Sequence, residues 1–195
     1  MSLREELTTA IQGHVVIMGI GNPCRGDDAA GSLVAQKISA APGVRVIDAQ
    51  EVPESYVRQL ADEEPDTVVL IDSVDLNSSP GSVAMLDKDQ VAGYGPSTHR
   101  VPLTLLMDYL ERETHARTFL IAIQPRGTGF MQPMSGEVHA SIVSIAGMLN
   151  DVFAEKLPPA DNHPGAGAEG SNHAGAWRAT PPESGGEFLK APLLG

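Results

Sequence analysis

HVVIMGIGNPCRGDDAAG, residues 14–31, passes from an apolar, β-branched run into a glycine-rich turn and then sets Asp27 and Asp28 side by side. Leu33, Val34, Lys37 and Ile38 follow at helical spacing, so the segment reads as strand His14–Met18, turn Gly19–Gly26 and helix Asp28–Ile38. Strand, glycine turn and helix open a layered α/β fold, and such a turn ordinarily cradles phosphate. The residue types here do not suit an anion. Counted from Gly19, the third glycine of a dinucleotide fingerprint falls on Cys24, and a Walker-type loop from Gly21 to Gly26 meets Asp27 where it needs lysine. Two carboxylates at a helix start are favoured by its dipole, yet they would repel a phosphate. The turn wants a cation.

The elements beyond this unit keep alternating. Val44–Ile47 reads as a second strand and Glu54–Leu60 as a second helix; TVVLI, Thr67–Ile71, is a continuous apolar strand of the kind covered on both faces and ends at Asp72. Ser82–Leu86 reads as an edge strand and Thr118–Ile123 as the last strand. Pro102 opens a helix with Leu103, Leu106, Met107 and Leu110 on one face, preceded by the loop GYGPSTHR. Ser135 is placed to cap a final helix whose Val138, Ile142, Ile145 and Leu149 face inward. The predicted architecture is a three-layer αβα sandwich around a mostly parallel, twisted sheet.

Composition bounds the rest. The 195 residues carry 25 acids against 13 bases, a formal charge of −12. Four of those acids and two of those bases lie in residues 157–195, which leaves residues 1–156 with 21 against 11. An acidic domain argues against nucleic acid as a partner. From Leu157 onward, 13 of 39 residues are Pro or Gly, so residues 1–156 are expected to form the α/β domain and residues 157–195 a disordered tail. Trp177 and the terminal FLKAPLL are the apolar exceptions in that tail. No run of 18 apolar residues occurs, and MSLREELTTAIQG lacks the basic and apolar regions of a signal peptide, so the expectation is a soluble cytoplasmic protein without membrane insertion. The single cysteine, Cys24, forms no internal disulfide and no cysteine-cluster zinc site. A monomer is expected.

Ligands in open α/β sheets lie beyond the carboxyl ends of the strands. Asp27 and Asp28 follow the first strand, Asp72 follows TVVLI, and His99 lies in the loop ahead of the Pro102 helix, with Asp28, Asp72 and His99 expected on solvent-facing loop ends. Two carboxylates and one imidazole make an incomplete shell for a borderline divalent ion such as nickel or zinc, leaving positions for water or substrate. A helix start near His99 favours the neutral imidazole, the form that ligates. Each residue has a plainer use: Asp27 as an N-cap, which is the reading preferred for it, Asp72 as a strand-end carboxylate bonding a turn, His99 as a cap of the Pro102 helix. Their convergence on one sheet edge favours the site. His14, His115, His139, His163 and His173 are assigned no role.

GIGNPCRGDDAAG, LIDSVD, STHRVPLTLLMDYL and FLIAIQP with a downstream PMS, in this order over roughly residues 14–150, resemble the hydrogenase maturation endopeptidases, closest to the branch serving formate-linked or related nickel-iron hydrogenases. The resemblance implies an endopeptidase that removes a C-terminal peptide from the large-subunit precursor once its nickel-iron centre is installed. It maps Asp28, Asp72 and His99 onto the family's metal-binding positions, with Asp28 and Asp72 also the candidate catalytic acids, and puts Asp27 and Gln124 in matching motifs without a defined role. Nickel would arrive with the substrate, held by its thiolates, and accept the three protein ligands. DAQEVPESY stands where the family has a small glycine-rich stretch, and the tail from Leu157 matches nothing in the family. Whether an aspartate acts as base on water or the metal polarises the carbonyl stays open. So do three other readings: a constitutive zinc metallohydrolase on the same ligands, a non-catalytic nickel-binding factor, and a cysteine hydrolase using Cys24 and His99, which the neighbouring acids disfavour.

Overall fold

The computed structural model describes residues 2–94 and 102–156. The chain divides into Met1–Pro164 and Gly165–Gly195, and the second unit lies wholly outside the described residues, as does the tail expected from Leu157.

The sheet has five strands: β1 (Val15–Ile20), β2 (Val44–Gln50), β3 (Thr67–Ser73), β4 (Val83–Leu86) and β5 (Arg117–Ile123), in spatial order β2-β1-β3-β5-β4. The first four in that order are parallel, and β4 closes the edge antiparallel to β5. Both faces are covered, which is why β1 and β3 are buried along their whole length and read as unbroken apolar runs rather than as alternating ones. Alternation persists in where the side chains go. Val15, Ile17, Val69, Ile71, Phe119 and Ile121 join one core with the helices α1 (Leu3–Ala10), α2 (Ala30–Lys37) and α6 (Gly136–Lys156). Val16, Met18, Val68, Leu70, Leu120 and Ala122 join another with α3 (Val57–Ala61), α4 (Lys88–Val91) and α5 (Leu103–Thr114). The three-layer αβα sandwich is therefore the observed architecture.

Local details differ from the sequence reading. After the acidic turn comes a 3-10 segment, Gly26–Ala29, and the α-helix starts only at Ala30. The second helix is likewise split into a 3-10 turn Pro53–Tyr56 and the short α3. Asp72 is not past the end of its strand but inside β3. The helices α1 and α4 were not anticipated. Both carry capping boxes: Ser2 Oγ accepts from Glu5 N and Glu5 Oε2 from Ser2 N, and Asp87 with Gln90 repeats the arrangement.

Close packing of α2 on the sheet sets the site. A Cβ at Gly31 would lie 1.9 Å from Ile71 O and 2.4 Å from Ile20 O, so only glycine lets the helix rest against β1 and β3 here. The chain leaves β1 toward β2 on one side, while β3 and β5 lie on the other. The crevice beyond the carboxyl ends of β1 and β3 is the topological switch point, where ligands bind in such folds.

Candidate active site at the carboxyl edge

The loop after β1 is built from its own polar groups. Cys24 N donates to Asn22 Oδ1 at 2.8 Å, Arg25 N to Asn22 O at 3.1 Å, and Asp28 N to Arg25 O at 3.1 Å, which winds the chain into the 3-10 segment. Gly21 at φ +143° and Gly26 at φ +58° occupy backbone conformations that side chains rarely adopt, and Gly21 N ties the turn to Gln50 O of β2. The result turns two adjacent carboxylates in different directions.

Asp28 faces β3. Its Oδ2 accepts from Asn22 N at 3.1 Å and its Oδ1 from Ser73 Oγ at 3.4 Å. Ser73 N donates in turn to Asp72 Oδ1 at 2.7 Å. Ser73 thus donates its hydroxyl to Asp28 across the switch point and its backbone amide to the adjacent Asp72. Ser73 was not singled out from the sequence, although the Asp-Ser pair at the end of an apolar strand is a signal that could have found it. Neither acid lies on a solvent-facing loop end as expected: Asp28 is 2% and Asp72 0% exposed. Asp72 belongs to a central strand covered on both faces, and the 3-10 segment folds Asp28 against that strand.

Asp27 turns the other way. Its Oδ2 accepts from Arg126 N (2.8 Å), Gly127 N (3.3 Å) and Ser135 Oγ (2.9 Å), and its Oδ1 from Ser135 N (2.6 Å). It does not cap its own helix. The carboxylate binds the β5–α6 connection, ending at the residue before α6, and it draws on Ser135's hydroxyl, which the sequence assigned to capping. Four donors account for nearly all the acceptor capacity of one carboxylate, so Asp27 is spoken for structurally. Gln124 is also architectural: its Oε1 accepts from Leu76 N (2.6 Å) and Ser78 N (3.3 Å), and its Nε2 donates to Asp75 Oδ1 and Pro125 O, holding the β3–β4 connection.

His99, the third candidate ligand, lies outside the described residues. Among the described residues no three His, Cys, Asp or Glu side chains form a cluster able to hold a metal. Cys24 is exposed. His14 sits just before β1 and His115 ends α5 with φ +58°, both ahead of strand starts, and His139 is an exposed residue in the first turn of α6. What the described site offers is two buried carboxylates, hard oxygen donors suited to a divalent ion or to accepting a proton from water.

A family model, that of the hydrogenase maturation proteases, matches residues 31–151. The chain belongs to the hydrogenase maturation protease family. The matched span takes in Asp72, position 99 and Gln124 and begins three residues after Asp28. The chain is 32% identical over 133 residues to the hydrogenase 3 maturation protease of Escherichia coli strain K12, covering 67% of this chain and 85% of that one. Its fold superposes on the crystal structure of a [NiFe] hydrogenase maturation protease from Thermococcus kodakarensis with TM-score 0.70 and 32% identity, covering 76% of this chain and 98% of the other. A crystal structure of the hydrogenase 3 maturation protease superposes with TM-score 0.62 and 30% identity, over 69% and 88% of the two chains. Like the family, the chain is a protease of hydrogenase maturation built on an αβα sheet. No helix among the described residues is long and apolar enough to cross a membrane.

Proposed function

We propose that this protease removes a C-terminal peptide from the precursor of a nickel-iron hydrogenase large subunit, and that it does so only after nickel has been inserted. The observation that carries the proposal is the placement of two buried acids, Asp28 and Asp72, beside the switch point, each bonded to Ser73. Two carboxylates and the imidazole of His99, without a thiolate, make a weak resident nickel site and a good second half of a coordination sphere. The precursor's cysteine thiolates supply the first half, so the metal belongs to the substrate and reports that insertion is complete. Hydrolysis consumes one water: a carboxylate oxygen of Asp28 or Asp72 takes a proton, the water oxygen bonds to the peptide carbonyl carbon, and the amine leaves with a proton. Asp27 takes no part in this step, because its oxygens are committed to Arg126, Gly127 and Ser135.

Co-expression with each large subunit of the source organism, followed by mass measurement of that subunit, identifies substrate and cut site together. Cleavage of the nickel-loaded precursor and none of the metal-free form is the expected result. Efficient cleavage of precursor made in nickel-depleted cells and shown metal-free by elemental analysis would refute the checkpoint. One tightly held zinc per chain, in protein purified without added nickel, would favour the constitutive metallohydrolase.

A further inference from the structure

The connection from β5 to α6 is held as tightly as the acidic turn it touches. Asp27 binds it at Arg126, Gly127 and Ser135; Gly129 N donates to Gln132 Oε1 at 2.9 Å; and Met131 N donates to Cys24 O at 2.7 Å. At its tip Phe130 and Met131 are 71% and 74% exposed. Met131 has φ +59°, a left-handed conformation unfavourable for a long side chain and kept here by the bond to Cys24. Two large apolar side chains are thus displayed on a pinned backbone. On the other flank of the acidic turn, where Gly21 N is bonded to Gln50 O, Val52 is 45% exposed. All three residues follow the carboxyl ends of strands, so they border the edge that carries Asp28 and Asp72.

A small ligand needs a concave pocket, whereas a projecting Phe-Met pair suits a protein surface, where aromatic residues and methionine are enriched. The cavity bounded by Ile11, Gln12, Gly13 and Lys156 precedes β1 and lies at the opposite edge of the sheet. We infer that Phe130 and Met131 form an anchor for an apolar surface of the precursor, seating it so that the cleavable segment crosses the Asp28–Asp72 edge. The inference rests on the proposed function and assigns its substrate-docking residues. Continuity chooses the occupant, since Met131 is hydrogen-bonded to the same turn that carries Asp28.

The test is steady-state processing of purified nickel-loaded precursor by the full chain and by Phe130→Ser/Met131→Asn. Asparagine tolerates the left-handed backbone, and the Cys24 bond uses only the Met131 amide, so the variant keeps the loop. KM should rise at least about tenfold, the loss of one good interface anchor, with kcat within about twofold and an unchanged melting midpoint. Unchanged KM in a chain that cuts normally would overturn the docking role alone. If the unsubstituted chain cuts no precursor, the proposed function itself fails. A dimer by sedimentation that the double variant dissociates would also overturn the inference, with a second copy as the occupant.

Discussion

The two neighbouring acids Asp27 and Asp28 do different work because the 3-10 segment points them apart. Asp27 is a buried acceptor for three backbone amides and a hydroxyl, and replacing it with Ala strands those donors. Asp27→Ala should cost about 3 kcal/mol or more in folding free energy, measured by denaturant titration, and should disturb processing only through the displaced turn. Asp28 and Asp72 invite the opposite test. Because both are buried, alanine would open a void, so Asp28→Asn and Asp72→Asn are the informative variants. Each should lower processing by about 10²-fold or more while the melting midpoint changes little. Normal processing by either would remove that residue from the site. Cys24→Ser should retain most activity, since Cys24 is exposed and its amide, not its thiol, holds the turn.

Two glycines separate the demands that elements place on the chain. Gly31 lies where α2 presses on the ends of β1 and β3, and a Cβ would strike backbone oxygens that cannot yield. Gly31→Ala should lift the helix at a cost of about 1–3 kcal/mol or more and move Asp28 with it. Gly147, within α6, has open space around its Cβ position, so Gly147→Ala should stabilise by about 0.5–1 kcal/mol. Thermal melts of the two variants should therefore shift in opposite directions. Across the sheet, Lys88 Nζ links α4 to α5 through Asp108 Oδ1 at 2.6 Å and Glu111 Oε2 at 3.2 Å. The hydrogen bond from Lys88 holds the Asp108 carboxyl below its usual range. That contribution is complete above the unfolded carboxyl's pKa and is lost as pH falls through the lowered folded value. Lys88→Met should thus differ from the unsubstituted chain at neutral pH and converge with it in acid, by a small amount because the pair is partly exposed.

At the scale of the molecule, the strand order brings three separate stretches of chain to one edge. The turn after β1, the end of β3 and the connection after β5 are joined there by Ser73, by Asp27 and by the Met131–Cys24 bond. The site is therefore a product of topology, and any change that shifts β3 relative to β1 should be felt by both acids. The core on the α6 side reaches to Val152 and Phe153, both buried and within four residues of Lys156. Removing residues 157–195, whose composition offers little to bury, is expected to change stability by no more than about 0.5 kcal/mol. A large fall in the melting midpoint would mean that Trp177 or FLKAPLL packs on the domain.

Much of this was determined by the sequence alone, because the signals are local. Unbroken apolar runs such as Thr67–Ile71 require cover on both faces, the residues at Gly19, Gly21, Cys24 and Asp27 exclude both phosphate-loop patterns, and the order of four motifs names the family. Helix existence followed from periodicity except in α1 and α4, whose capping boxes, Ser2 with Glu5 and Asp87 with Gln90, were the local signal to read. The remainder is non-local and was settled by packing. Asp27 has no sequence neighbour to bind; its partners lie about a hundred residues away, at Arg126, Gly127 and Ser135. Ser73 reaches Asp28 only because β1 and β3 are adjacent in the sheet, and Asp72 is buried because helices cover that sheet on either side. Residue type and spacing report what a side chain can do; which groups stand opposite it depends on strand order, and that is settled when the layers pack.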